Sequence, residues 1–261
     1  MTDINSRIAN MDAANISISV LAFGTPGIQG IFNASYATYA AGRVNDYLAR
    51  TYKNGNYSGR FEFWCSNALQ EPAKAAAELE RCVTRLGGVG SFSWMCQFTY
   101  IPACLHPANS SASRGYEFLG SSPFGFSSET AAHALRLMVS GTLDRYPSLK
   151  IVLGHCGEGL PFFLPRIDHR LRHFRRELFH NTLTMEEYWA RNFYVTTAGV
   201  QDVGTLEDTI KRTGEGRVMF SVDYPFEDTV EIAGWFDRLE MSTSTKMKLG
   251  YENAKALLRL T

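Results

Sequence analysis

Apolar positions along the chain switch between two spacings, and the switching outlines an alternation of helices and strands. Ile4, Ile8 and Met11 recur at helical spacing within residues 3–14. The next apolar run, Ile16 to Phe23, is rich in β-branched residues and closes on Gly24-Thr-Pro-Gly27, as a strand followed by a loop does. The unit recurs as a helix over 34–53, a strand over 60–68, a helix over 71–86 opened by Glu71-Pro72, and an apolar strand from Val89. Beyond it the pattern predicts a strand at 101–106, a helix at about 129–144, a strand at 150–155 and a helix from 161 to about 180. A strand at 193–198, a helix at 203–213, a strand at 217–223 and helical sequence to the end complete the reading.

Strands separated by helices of this length favour a parallel sheet wound by right-handed crossovers. The regular solution nearest to seven such strands is an α/β fold of the TIM (β/α)₈ type, whose active site gathers where the strands end at their carboxyl side. One domain over residues 1–261 is expected, without repeats or linkers. The irregular stretch 107–128, rich in Ser, Gly and Asn, is a candidate lid.

Charge narrows the partner. Lys plus Arg and Asp plus Glu stand at 26 each, so no net field favours nucleic acid or an anionic membrane, and a small molecule is the expected ligand. Five cysteines, Cys65, Cys82, Cys96, Cys104 and Cys156, form no CxxC pair and lie in or beside apolar runs, which suits reduced, buried thiols and a cytoplasmic protein. No signal-like leader and no long apolar stretch is evident, so a soluble chain is expected.

Three strand ends deliver groups able to bind a divalent metal: Leu-His106-Pro107, Leu-Gly154-His155 and Val-Asp223-Tyr-Pro225. Imidazoles and a carboxylate converging on one barrel rim suit Zn²⁺ first, with Mn²⁺ or Mg²⁺ as alternatives, and leave a position open for substrate. Each also has a plain structural reading: a hydrogen-bonded histidine at a strand end, or an Asp serving as a turn or N-cap residue. Glu158, three residues after His155, either orients that imidazole or places a carboxylate at the N-terminus of the next helix. Arg166 is a candidate for a substrate carboxylate, although Arg166-Ile-Asp168-His169-Arg170 also reads as an exposed helical charge network. His133, His169, His173 and His180 are expected to be structural or surface residues.

The stretches Tyr146 to Pro161, Arg166 to Arg170, Asn192 to Gly199 and Arg217 to Glu227 carry a specific resemblance, supported by Val44-Asn-Asp-Tyr47, Leu105-His-Pro107 and Glu252 to Leu258. The chain resembles the non-oxidative aromatic-acid decarboxylases of the amidohydrolase superfamily, such as the 2,3-dihydroxybenzoate and γ-resorcylate decarboxylases. The resemblance implies a TIM barrel in which a metal is held by an acid on the first strand, by His106 and by Asp223, with His155 close to the metal and backed by Glu158. It implies that the ring carboxylate and ortho-hydroxyl approach the metal, and that Asp223 protonates the carbon bearing the carboxylate. Arg166 and Phe226 then fall on the substrate side. A homo-oligomer acting on a small aromatic carboxylic acid is expected; a metal-dependent hydrolase and a catalytically impaired scaffold are the alternatives.

Two departures stand out. The Glu-x-His or Glu-x-Ala strand that opens the family pattern has no match here, so the first βα segment is expected to be absent and the barrel incomplete. Between Gly90 and Ile101 only ten residues, Ser91 to Tyr100, replace a Val-Asn-Asp segment, a loop and a helix, too few for a parallel crossover. Both departures predict loose packing in residues 1–100, weaker metal binding and slow decarboxylation.

Overall fold

The computed structural model describes residues 3–24, 27–92, 115–174 and 179–260. The contacts group the chain into two compact units, Met1–Cys104 and Leu105–Thr261, and each is described by itself.

In the first unit, α1 (Ile4–Ala13) is capped by the Asp3 side chain and leads to β1 (Ser19–Leu21). α2 (Ala34–Leu48), capped by Asn33, runs on through a wider turn over Ala49–Lys53. β2 (Phe61–Phe63), β3 (Cys65–Ser66), α3 (Pro72–Arg81) with a wide turn over Cys82–Leu86, and β4 (Ser91–Phe92) follow. β1 pairs parallel with β2, and β3 pairs parallel with β4. The strand expected over 60–68 breaks at Trp64 because its partner changes there: the Trp64 N–H donates to the Leu21 carbonyl, and the next N–H, of Cys65, to that of Gly90.

The core of this unit packs Met11, Leu48, Tyr52, Phe61 and Phe63 together. Each fully buried side chain of that size stabilises the fold by about 1.5–3 kcal/mol. β1 is only half-buried, whereas Phe61 and Phe63 of β2 are closed off. Among the described residues β1 therefore has one strand partner and one unpaired edge. Arg81 ties α3 to α2, bonding Asp46 at 2.8 Å and Glu78 at 2.7 Å.

The cysteine expectation needs correcting here. Cys65 and Cys82 are joined in a disulfide, with Cα atoms 6.1 Å apart, while Cys156 is a buried free thiol. The start of β3 and the turn after α3 send both sulfurs into one buried space. Gly88 lines that space, where an added Cβ would meet the Cys65 sulfur at 2.4 Å and the Cys82 sulfur at 2.9 Å. Cys96 and Cys104 lie outside the described residues, as do the strand expected at 101–106 and the short segment Ser91 to Tyr100 beyond Phe92.

The second unit holds α4 (Gly125–Val139), α5 (Thr142–Arg145), β5 (Ile151–Leu153), the single turn α6 (His155–Glu158), α7 (Leu160–Leu171), α8 (Met185–Asn192), β6 (Phe193–Thr196), α9 (Val203–Thr213) and β7 (Val218–Met219). α10 (Thr229–Arg238), α11 (Thr243–Met247) and α12 (Asn253–Leu258) close it. One helix was expected near 129–144; Gly141, with φ of 74°, divides it into α4 and α5. Of the expected lid, residues 107–114 lie outside the described residues, and the rest includes a 3₁₀ turn over Glu117–Gly120 and the start of α4. β5, β6 and β7 form a parallel sheet in that order, with Leu153 beside Val195 and Val195 beside Val218. Their carboxyl ends therefore emerge side by side. Among the described residues no helix is long and apolar enough to cross a membrane.

Candidate active site at the ends of β5, β6 and β7

His155 follows β5 by one glycine, and Asp223 stands a few residues past β7. The carboxyl ends of the two outer strands of this sheet thus carry the two candidate groups, on the face where parallel α/β folds gather their chemistry. His155 Nε2 lies 3.7 Å from Asp223 Oδ2, and His155 Nδ1 lies 2.7 Å from Glu158 Oε1.

The backbone is bent to achieve this. His155, Cys156 and Glu158 have φ of 49°, 54° and 57°, and Asp223 has 74°. Side-chain-bearing residues avoid this region, at a cost of about 1–3 kcal/mol each, and clusters of such residues mark sites where the surrounding structure dictates the geometry. Gly157 makes the turn possible, because a Cβ there would lie 2.8 Å from the Trp189 ring.

Electrostatics reinforce the grouping. The Asp223 carboxylate, then that of Glu158, push the His155 pKa up to about 10 against the opposing effect of burial. The Glu158 side chain is 4% exposed, and its second oxygen, Oε2, is buried without a hydrogen-bond partner among the described residues. Burial pushes the neighbouring Cys156 thiol up, which keeps it a thiol rather than a thiolate nucleophile.

This donor set fits a divalent cation. With Nδ1 donating to Glu158, the neutral imidazole turns a lone pair at Nε2 toward a carboxylate oxygen, so a proton or a cation must lie between them for the pair to attract. A histidine whose far nitrogen is held by a carboxylate is the usual arrangement for a metal-binding imidazole. Among the described residues no three such groups cluster, and His106 lies outside them.

The remaining candidates, Phe226 and Arg166, make no side-chain hydrogen bond or ion pair with His155 or Asp223 among the described residues. Phe226 donates its backbone N–H to the Asp223 carbonyl at 2.9 Å, but its side chain is exposed. Arg166 is exposed on α7 and has no ion pair among the described residues. Its neighbours Arg170 and His169 are exposed as the charge-network reading expected, but Asp168 is not. It is buried and accepts from the Met185 N–H at 2.8 Å and the Glu186 N–H at 3.2 Å, capping α8.

Sequence reasoning passed over the exit of β6. Thr197 is buried there, and its Oγ1 donates to the Ser221 carbonyl at 3.1 Å and accepts from the Ser221 N–H at 3.0 Å. Gly199 follows, beside both His155 and Asp223. A glycine shortly after the middle one of three predicted strands was the available signal.

Comparison with known proteins places the chain in a family. Residues 7–260 match the family model described as Amidohydrolase. A γ-resorcylate decarboxylase from Polaromonas sp. strain JS666 is 36% identical over 284 aligned positions, covering 97% of this chain and 86% of that protein. The one from Rhodococcus jostii strain RHA1 is 37% identical over 97% of this chain and 87% of its own length. A crystal structure of a dihydroxybenzoic acid decarboxylase from Polaromonas sp. JS666, with bound manganese and the inhibitor 2-nitroresorcinol, superposes with a TM-score of 0.88, covering 100% of this chain and 87% of that one at 35% identity. The 284 aligned positions exceed the 261 residues of the chain, so the Polaromonas relative carries residues with no counterpart here. By the span of the family match and the identity to full-length relatives, the chain belongs to the amidohydrolase family.

Proposed function

We propose that this chain is a metal-dependent, non-oxidative carboxy-lyase that removes carbon dioxide from an ortho-hydroxylated aromatic acid, with 2,6-dihydroxybenzoate as the first substrate to test. The observation that carries the reading is the 3.7 Å approach of His155 Nε2 to Asp223 Oδ2, with Glu158 behind the imidazole, in a chain 36% identical to a γ-resorcylate decarboxylase.

His155, Asp223 and, outside the described residues, His106 are the side chains that would hold a divalent ion. The manganese in the Polaromonas structure favours Mn²⁺ over the Zn²⁺ ranked first from the sequence. When bound, such an ion would fix the substrate carboxylate and ortho-hydroxyl and offset their negative charge. The barrier lies in breaking the aromaticity of the ring by adding a proton to the carbon that bears the carboxylate. Asp223 Oδ2, protonated from solvent between turnovers, delivers that proton, while His155 Nε2, 3.7 Å away, keeps its lone pair for the ion. Carbon dioxide leaves with the carbon–carbon bond pair returning to the ring, so the product is the phenol with hydrogen in place of the carboxylate. Glu158 keeps the imidazole turned toward Asp223 through the 2.7 Å contact at Nδ1. Phe226, tethered to the Asp223 carbonyl, is assigned to the ring, and the exposed Arg166 to the carboxylate.

We read the chain as one barrel domain that lacks an internal stretch near Ser91 to Tyr100, a reading supported by an alignment longer than the chain. The test is carbon dioxide release from 2,6-dihydroxybenzoate by the full chain, after chelator treatment and after return of Mn²⁺, Zn²⁺ or Mg²⁺. Chelation should abolish release and Mn²⁺ should restore it. Metal-dependent cleavage of an amide or lactone, without carbon dioxide release, would instead support a hydrolase.

A further inference from the structure

β6 carries none of the candidate site residues, yet it lies between the two strands whose ends lead to them. Adjacent strands stand about 4.8 Å apart, so β5 and β7 are separated by roughly 10 Å at their backbones. The 3.7 Å approach of His155 to Asp223 therefore requires the two side chains to lean toward each other over the exit of β6.

Gly199 occupies that exit. A Cβ added there would lie 3.1 Å from His155 Cδ2, 3.2 Å from Asp223 Oδ2 and 3.6 Å from His155 Nε2, touching both members of the pair at once. Thr197 fixes the other side. Its hydroxyl bonds both backbone groups of Ser221, two residues before Asp223, and its own N–H donates to the Met219 carbonyl at 3.0 Å.

We infer that the exit of β6, Thr197 to Gly199, is the spacer that sets the separation of His155 and Asp223, with Thr197 and Gly199 as positioning residues. Thr197 locks the segment carrying Asp223 to the middle strand. Gly199 leaves the space through which the pair meets. The chemical consequence rests on the decarboxylase reading, whereas the spacing belongs to the chain itself.

The experiment compares the full-length chain with Gly199→Ala, Gly214→Ala, Thr197→Val and Thr197→Ser. It records the histidine ring signals by ¹⁵N NMR without metal, with His155 assigned from His155→Gln, then Mn²⁺ affinity and thermal midpoint. Gly214 serves as the control, because it also has positive φ, 92°, but faces open space. We expect Gly199→Ala and Thr197→Val to shift the His155 signals and weaken Mn²⁺ binding by about tenfold or more, the scale of losing support behind a ligand. Gly214→Ala and Thr197→Ser should leave both near those of the unsubstituted chain. The spacer role is overturned if Gly199→Ala and Thr197→Val lower the thermal midpoint while the His155 signals stay unmoved. If the unsubstituted chain binds no Mn²⁺ and releases no carbon dioxide, the decarboxylase reading fails, and the metal-free His155 signals still decide the spacing.

Discussion

At the scale of single residues, a carboxylate set behind an imidazole fixes which nitrogen faces the reaction. Glu158→Gln keeps a polar group near His155 Nδ1 but removes the charge, and Mn²⁺ affinity measured by titration calorimetry should fall about 10- to 100-fold with the fold intact. Asp144 gives a test that is independent of catalysis. It accepts hydrogen bonds from the Tyr188 hydroxyl at 2.5 Å and from the Thr182 hydroxyl at 2.7 Å and backbone N–H at 2.9 Å. Burial alone would raise its pKa, yet these donors and Arg191 hold it below the usual Asp value. A lowered carboxylate stabilises the fold above its unfolded pKa and loses that contribution as pH falls through the folded one. Asp144→Asn should therefore cost about 1–3 kcal/mol near neutral pH in urea unfolding, and the gap should narrow below about pH 4. His155 and Asp223 were legible in the sequence because each closes a predicted strand, and Glu158 because of its spacing. Gly199 and Thr197 were not, since their roles arise from what they leave open and which backbone they hold.

Among the elements, α8 shows how a helix end secures the strand beside the site. Thr184 and Glu187 form a reciprocal cap, and Asp168 reaches from α7 to two further N–H groups of the same end. α8 runs directly into β6, so its N-terminal caps help anchor the middle strand. Thr184→Ala should cost about 1 kcal/mol and Asp168→Ala about 1–3 kcal/mol by chemical denaturation, with the double variant departing from additivity because both serve one helix end. Hydrophobic spacing located α9 at 203–213 to the residue, since its apolar face and Asp202 cap are local features. It overran β7, expected over 217–223, because past Met219 the ladder gives way to bonds such as the Phe220 N–H to the Leu249 carbonyl. That change of partner depends on a segment thirty residues away, which no local pattern records. The same limit hid the buried role of Asp168 and the pairing of Cys65 with Cys82.

For the whole molecule, family membership and the His155–Asp223 geometry converge on one chemistry. The most direct measurement is single-turnover carbon dioxide release from 2,6-dihydroxybenzoate by the Mn²⁺-loaded chain and by Asp223→Asn, with metal content and thermal midpoint recorded for both. The unsubstituted chain should yield one carbon dioxide and one resorcinol per substrate without incorporating oxygen from water. Asp223→Asn should stay folded but slow by about 10²- to 10⁴-fold, the range for losing a positioned general acid. An Asp223→Asn chain that releases carbon dioxide at the unsubstituted rate would show that Asp223 is not the proton donor.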